Sequence, residues 1–375
     1  MKRTILFGIP PKNHVNLAMD EVYGLRELGY DCETIGYTRN NDRLSVFNKL
    51  MGVLYNAFAI VGRLYKVRPH VLYLNSRFEK IGCTRDFITI LIIRLLYWRR
   101  LKITIKTHGS DLYILTQKSF FLNRMVIPYL QKEVALWFFL SQVEKDEIAA
   151  VAPRFAKKVF VTCNIIDPRR SVASGQFREK YDLDKGRFTF FFAGRMIADK
   201  GIFNIVKAIS RFASRDECLF LFAGDGEDFG ALKEEIERLG IKEQVRLLGF
   251  VPENECDHFF ANTNALVYPT CCDEGFAMAL FKAVACGMPV ITTKVRAAAD
   301  HLTEPEHCLW VDGRSVDSIL AAMEQLYRDK ELREQMGKNN VLLGQKFSRK
   351  VVAQQMCNDF NTLFLEEDGI TLRQV

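Results

Sequence analysis

Short runs that are apolar on both faces recur along the chain, separated by longer stretches in which apolar residues return every three or four positions. In the first half these runs are Ile5–Gly8, Val71–Leu74, Ile103–Thr107, Leu136–Leu140 and Val159–Thr162, rich in branched and aromatic residues. Between them, Leu17–Leu28, Phe87–Trp98 and Val143–Ala150 carry the helical period. Strands hydrophobic on both faces belong to a parallel sheet covered by helices on each side. The stretch Asp167–Gly186, polar and charged with Pro168, Gly175 and Gly186, interrupts the pattern. A second series follows: Phe188–Ala193, Leu219–Ala223, Val245–Leu248, Ala265–Tyr268 and Val290–Thr293. Two successive sets of alternating elements predict an α/β chain of two doubly wound domains, 1–168 and 187–348, with a linker near 168–186. Helices over Val316–Leu326 and Arg349–Leu365 close the chain, and 349–375 is a candidate to pack back across the domain boundary.

A length of 375 residues suits two cores, and 49% hydrophobic with 26% charged residues is the balance of a soluble globular protein. Ten cysteines lie scattered from Cys32 to Cys357 without a CxxC pair, which predicts reduced thiols in a cytoplasmic protein. The apolar run after Lys2 and Arg3 ends at Pro10, Pro11 and Lys12, too soon for an export signal. No segment reaches the ~20 apolar residues of a membrane span; the best, Phe87–Trp98, is cut by Arg94.

The net charge of +7 is unevenly divided. Residues 1–170 hold 27 Lys and Arg against 14 Asp and Glu, and the remainder holds 25 against 31. A basic half predicts contact with something anionic: nucleic acid, phospholipid or a phosphorylated substrate. No nucleic-acid-binding motif accompanies the charge, so no nucleic acid partner is expected. Arg94, Arg99, Arg100, Lys102 and Lys106 surround Tyr97 and Trp98, a composition suited to peripheral contact with the anionic inner face of a membrane. The competing reading is a core helix with a solvated basic end.

Ligands of open parallel sheets lie beyond the carboxyl ends of the strands, so the loops there carry the chemistry. In FFAGRMIADKG a buried strand ends at Gly194, and Arg195 and Lys200 follow before a helix near Gly201. Arg holds a diphosphate through its planar fork and Lys as a point charge, so the two could clamp one from two sides. In VYPTCCDEGFAMALFKAVACGMPV a strand ends at Tyr268 and a helix is expected from Gly275 or Phe276. Its N-terminus would favour an anion on Gly275–Ala277, with Glu274 placed to accept hydrogen bonds from sugar hydroxyls. The competing readings are surface cations on a loop and a first-turn carboxylate on a helix.

The pairing of GRxxxxKG with EGF and ACGMPV about eighty residues later resembles the retaining GT-B glycosyltransferases of family 4 (glycosyl transferases group 1). KTHGSD at 106–111, AGDGED at 223–228 and LLGFVP at 247–252 fall in the order of that family. The resemblance implies two Rossmann-like domains facing a central cleft, and a UDP- or GDP-linked sugar as donor, with no separate cofactor. It implies that Arg195 and Lys200 neutralise the donor diphosphate beside Gly194, and that Glu274 positions the transferred sugar. The amides of Phe276 and Ala277 would touch phosphate, Gly249, Phe250 and Val251 would line the base, and His108 would face the sugar. The expected acceptor is a saccharide or a lipid-linked saccharide, in cell-surface polysaccharide or glycolipid synthesis.

The chain departs from the family pattern at one position. The second of two glutamates spaced seven residues apart, expected on the ribose, is replaced by Lys282. An ammonium only donates, so ribose binding must differ, and an impaired GT-B scaffold is an alternative reading. A GT-B epimerase or phosphorylase is another. The glycine turn after the first strand is also reduced, to Gly8-Ile9-Pro10-Pro11. No metal site is expected: Asp182-Leu183-Asp184 spells DxD but lies in the linker, and no His/Cys cluster has zinc spacing.

Overall fold

The apolar runs become strands because each is buried on both faces. The computed structural model describes residues 3–10, 15–37, 45–183 and 186–365. Twelve strands run in chain order: β1 (Thr4–Ile9), β2 (Asp31–Gly36), β3 (Val71–Phe78), β4 (Lys102–Ser110), β5 (Val134–Phe139) and β6 (Val159–Val161), then β7 (Phe188–Ala193), β8 (Cys218–Ala223), β9 (Val245–Gly249), β10 (Ala265–Tyr268), β11 (Val290–Thr292) and β12 (Leu309–Trp310). The ten predicted strands all form. The two that were not predicted, β2 and β12, are both at sheet edges.

The chain divides into two units, Met1–Ile165 with Arg349–Val375, and Ile166–Ser348. The first holds a sheet of order β2-β1-β3-β4-β5-β6, in which every pairing is parallel. The second holds β12-β11-β10-β7-β8-β9, again wholly parallel. Counted within its unit, the second order is the 3-2-1-4-5-6 of a Rossmann sheet, whose switch point lies between the first and fourth strands, here β7 and β10. In the first unit the order reverses between β1 and β3. There the Asn75 side-chain amide donates to the Gly8 carbonyl at 3.1 Å, tying the two strand ends together. Pro11, part of the reduced turn, lies outside the described residues.

Phenylalanine fills the second core. Phe190 of β7 stacks on Phe220 of β8 with centroids 5.2 Å apart, and Phe191 stacks on Phe259 on the other face. The segment predicted as a linker belongs to the second unit. The Ile166 amide donates to the Phe347 carbonyl, and Arg178 donates to the Asn262 carbonyl at 2.7 Å. Helix Val316–Arg328 also stays in that unit, where Asp317 pairs with Arg211 at 2.6 Å.

Helix Arg349–Leu365 packs in the first unit. Arg349 bonds Asp20 at 2.9 Å, and Phe360 lies edge-on to Tyr73 and Phe138. A Cβ added at Gly24 would come within 2.7 Å of Ala353, so glycine is what lets helix Val15–Glu27 approach it. All ten cysteines are free thiols.

Candidate functional site

At the switch point of the second unit, the chain leaves β7 through Gly194 and Arg195 and turns back at Lys200. The loop is braced from β8: Gly194 N–H donates to Ala223, Met196 N–H to Asp225, and Ala198 N–H to the Asp228 carboxylate at 2.7 Å. AGDGED is therefore the support of the Arg195 loop. A Cβ on Gly224 would lie 1.8 Å from the Gly194 carbonyl oxygen, and one on Gly226 would lie 2.4 Å from that of Met196. Gly201 ends the loop at φ 76° and packs on Pro269 of the neighbouring strand's loop.

These constraints separate the two cations. Arg195 is exposed at the strand end, whereas Lys200 is only 3% exposed. The Lys200 ammonium forms an ion pair with Glu274 and donates to the Tyr268 hydroxyl at 3.2 Å. That hydroxyl donates to the second Glu274 oxygen at 2.8 Å. Burial pulls the Lys200 ammonium down to about 8; Cys272 and Asp199 oppose the shift and Arg195 adds to it. Burial holds the Tyr268 hydroxyl well above its ordinary value, so it remains a donor at neutral pH.

The Glu274 loop is pinned from several sides. Cys271 N–H donates to the Asp199 carbonyl at 2.7 Å, and Thr293 Oγ1 donates to the Thr270 carbonyl at 2.6 Å. Arg296, 7% exposed and at φ 41°, donates to the Asp273 carbonyl at 3.0 Å. Phe276 is buried and stacks on Phe281 with centroids 3.9 Å apart, which fixes the backbone between Glu274 and the following helix. That helix spans Met278–Ala285, not from Gly275 or Phe276 as the sequence implied. Its first intrahelical bond runs from Phe281 N–H to the Ala277 carbonyl, so Gly275 and Phe276 form a bend and Ala277 the cap. The expected amides thus sit on the approach to the helix.

Gly249 ends β9 at φ 68°, its carbonyl accepting from Gly224 N–H. It turns out Phe250, whose ring is 76% exposed, ahead of Val251. Lys282 donates to Asp257 at 2.6 Å and Glu253 at 2.9 Å, both on helix Glu253–Asn262. Of the DxD spelling, Asp182 pairs with Arg246 at 2.7 Å, and Asp184 lies outside the described residues.

In the first unit, His108 stands near the end of β4, half-buried, with Nε2 2.7 Å from Asn75 Oδ1. Because Asn75 also holds Gly8, His108 marks that unit's switch point. The basic cluster read from sequence does not hold together. Lys106 is fully buried and paired with Glu21, and Arg94 bonds Glu133 at 2.8 Å; only Arg99 and Arg100 stand exposed beside Trp98. Tyr268, Thr293 and Arg296 were missed. A hydroxyl at the end of the strand across the switch point was the one available signal, and it marks Tyr268.

Two doubly wound parallel sheets, the second with a cation and a carboxylate facing each other at its switch point, define the GT-B fold. Solved structures share the fold: Anabaena Alr3699/HepE, determined with UDP and glucose, at TM-score 0.74 and 16% identity over 96% of this chain and 100% of that one. Sucrose-phosphate synthase from Thermosynechococcus elongatus aligns at TM-score 0.78 and 14% identity, over 98% and 100%. Residues 174–341 match the family model of glycosyl transferases group 1. The chain is similar to the capsular polysaccharide biosynthesis glycosyltransferase CapM of Staphylococcus aureus, with 24% identity over 91% of this chain and 88% of that one. N-acetyl-alpha-D-glucosaminyl L-malate synthase of Bacillus anthracis is 22% identical over 72% and 70%.

Proposed function

We propose that this glycosyltransferase moves a sugar, with retention at the anomeric carbon, from a UDP- or GDP-linked donor to a saccharide or lipid-linked acceptor in cell-surface polysaccharide or glycolipid synthesis. The observation that carries the reading is the Lys200–Tyr268–Glu274 cluster at the β7–β10 switch point with exposed Arg195 on the same loop. The bond from the sugar to the diphosphate breaks as the acceptor oxygen bonds the same face of that carbon. The acceptor proton passes to the departing phosphate oxygen. Arg195 and Lys200 stabilise the charge that develops there, the task metal ions perform in other transferases, so the reading needs no metal. Glu274 accepts from the sugar hydroxyls. His108 is assigned to the sugar on the resemblance alone. The bound UDP and glucose of Alr3699/HepE and the capsular role named for CapM support the choice of donor class and acceptor.

Thermal stabilisation by a panel of nucleoside diphosphates tests the donor site. A rise in Tm with UDP or GDP, abolished in Arg195→Ala, is expected, and no rise with any of them would sink the reading. Product analysis then separates transfer from an epimerase or phosphorylase, which would act without an acceptor alcohol or with free phosphate. Turnover of any nucleotide sugar rules out an inert scaffold.

Contact with an anionic membrane has its own support. Helix Val46–Val67 exposes Phe47, Met51, Tyr55 and Phe58 and contains Lys49, Arg63 and Lys66 but no acidic residue. Among the described residues no helix is long and apolar enough to cross a membrane. Binding from the surface would combine inserted aromatic rings with about 1 kcal/mol per basic residue. Co-sedimentation with vesicles containing phosphatidylglycerol, but not with phosphatidylcholine alone, is expected, weakened in Phe47→Ser/Phe58→Ser. Equal recovery with both vesicles would remove the membrane from the reading.

A further inference from the structure

The position where the family places a ribose-binding carboxylate holds Lys282, and the structure shows where its ammonium goes. It turns into the protein, to Asp257 Oδ1 at 2.6 Å and Glu253 Oε1 at 2.9 Å. The three side chains are graded in exposure: Asp257 5%, Lys282 15% and Glu253 50%. A ligand approaching from solvent therefore meets a carboxylate, with the ammonium beneath it and a second carboxylate beneath that. Two carboxylates and one ammonium sum to a single negative charge, the charge one glutamate would have supplied.

Topology puts Glu253 on the ligand side. It is the first residue of helix Glu253–Asn262, which follows the carboxyl end of β9, and it lies two residues beyond Val251 in the segment assigned to the nucleobase. The base and its ribose are covalently joined, so a group next to the base contacts is where a ribose hydroxyl arrives. A carboxylate offers about four acceptor sites, and half of the Glu253 side chain is exposed to solvent. Lys282 in turn holds the Glu253 side chain in place. Burial works against that ammonium, but Asp257 and Glu253 outweigh it and keep it charged.

We propose that Glu253, positioned by Lys282 and through it by Asp257, is the carboxylate that receives the ribose hydroxyls of the donor nucleotide. The proposal rests on the donor-site reading above. It makes Lys282 a positioning residue in a relocated ribose contact and removes the reason for regarding the site as degenerate.

The test is calorimetric titration of the full chain with UDP, GDP and their 2′-deoxy counterparts. The wild type is expected to prefer the ribonucleotide by about tenfold or more, the worth of one charged hydrogen bond. In Glu253→Gln that preference should fall to within about threefold, because an amide accepts through one oxygen only and carries no charge. Lys282→Met should also lose most of the preference, and Lys282→Arg, which can still bridge the two carboxylates, should restore it. A merely structural role for Lys282 would change stability without moving the ratio between the two nucleotides. Glu253→Gln that binds UDP or GDP with the wild-type preference overturns the proposal and leaves the donor site standing. So does a wild type that binds ribo and deoxy forms equally. A wild type that binds none of the four overturns the donor-site reading and this proposal with it.

Discussion

Lys200 and Arg195 are both cations on one loop, yet their surroundings give them different behaviour. Arg195 is exposed, whereas Lys200 is buried and its ammonium is pulled down from 10.5 to about 8. The folded state therefore holds fewer protons at this site than the unfolded chain between pH 8 and 10.5, so this residue's contribution to stability rises with pH across that window. Binding of a nucleoside diphosphate needs the ammonium and runs the other way. We expect stabilisation by UDP or GDP to decline above about pH 8 in the wild type. In Lys200→Met it should be weak at every pH, and thermal scans of both proteins from pH 6.5 to ~10 check this. Tyr268→Phe removes a hydroxyl that bonds both Lys200 and Glu274. It should lower kcat/KM by about tenfold, the worth of a hydrogen bond to charged groups, and cost about 1–3 kcal/mol of stability, read as a lower Tm, because a buried ammonium loses a partner. The placing of Arg195, Lys200 and Glu274 beyond strand ends was legible in the sequence, because the apolar runs of β7 and β10 mark where those strands stop. Arg296 was not, since its role depends on a positive φ and on a loop 23 residues away.

At the level of elements, strands buried on both faces could be read directly, and those with polar faces could not. β2, Asp-Cys-Glu-Thr-Ile-Gly, buries Cys32 alone among its six residues, so no apolar run announces it. Helix Val46–Val67 escaped for a related reason: its first three turns present apolar residues to the outside, which blurs the helical contrast. The helix after Glu274 was placed two or three residues early, because sequence could not show that Phe276 leaves the helical path to stack on Phe281. The glycines at the β8 turn entered the sequence reading only within AGDGED, in the order of the family. Their use is close packing, and it makes a prediction. Gly224, at φ 139°, cannot accept a side chain without displacing the Gly194 carbonyl. Gly224→Ala should lose at least about 1–3 kcal/mol of stability from backbone strain and weaken nucleotide binding through the Arg195 loop. Gly230→Ala, in helix Phe229–Arg238 with nothing within 4 Å of the added carbon, should instead gain up to about 1 kcal/mol. Urea denaturation of the pair measures the contrast.

For the whole molecule, the sequence pattern predicted two doubly wound sheets, and the structure moves the boundaries between them. The stretch taken for a linker is packed in the second unit, and helix Arg349–Leu365 completes the first core through Val352, Met356, Phe360 and Phe364. These contacts join residues more than 300 positions apart, which no local pattern can reveal. Phe360→Ala, which empties a site among Tyr73, Phe138 and Tyr30, should cost about 3–5 kcal/mol. The loss should appear in the first unit only, which hydrogen exchange resolved by segment would show.

The return of that helix also sets an order of birth on the ribosome. Residues 166–348 are complete, core and both sheet edges, before residue 349 is made, whereas the first unit waits for a helix encoded after them. At roughly 5–20 residues per second the wait is on the order of ten to forty seconds. During it, the face of β1, β3 and β5 that Phe360 and its neighbours will cover has no partner from its own chain. Nascent chains stalled with residue 348 just outside the exit tunnel should therefore resist protease across the second unit and be cut in the first, although the first was synthesised earlier.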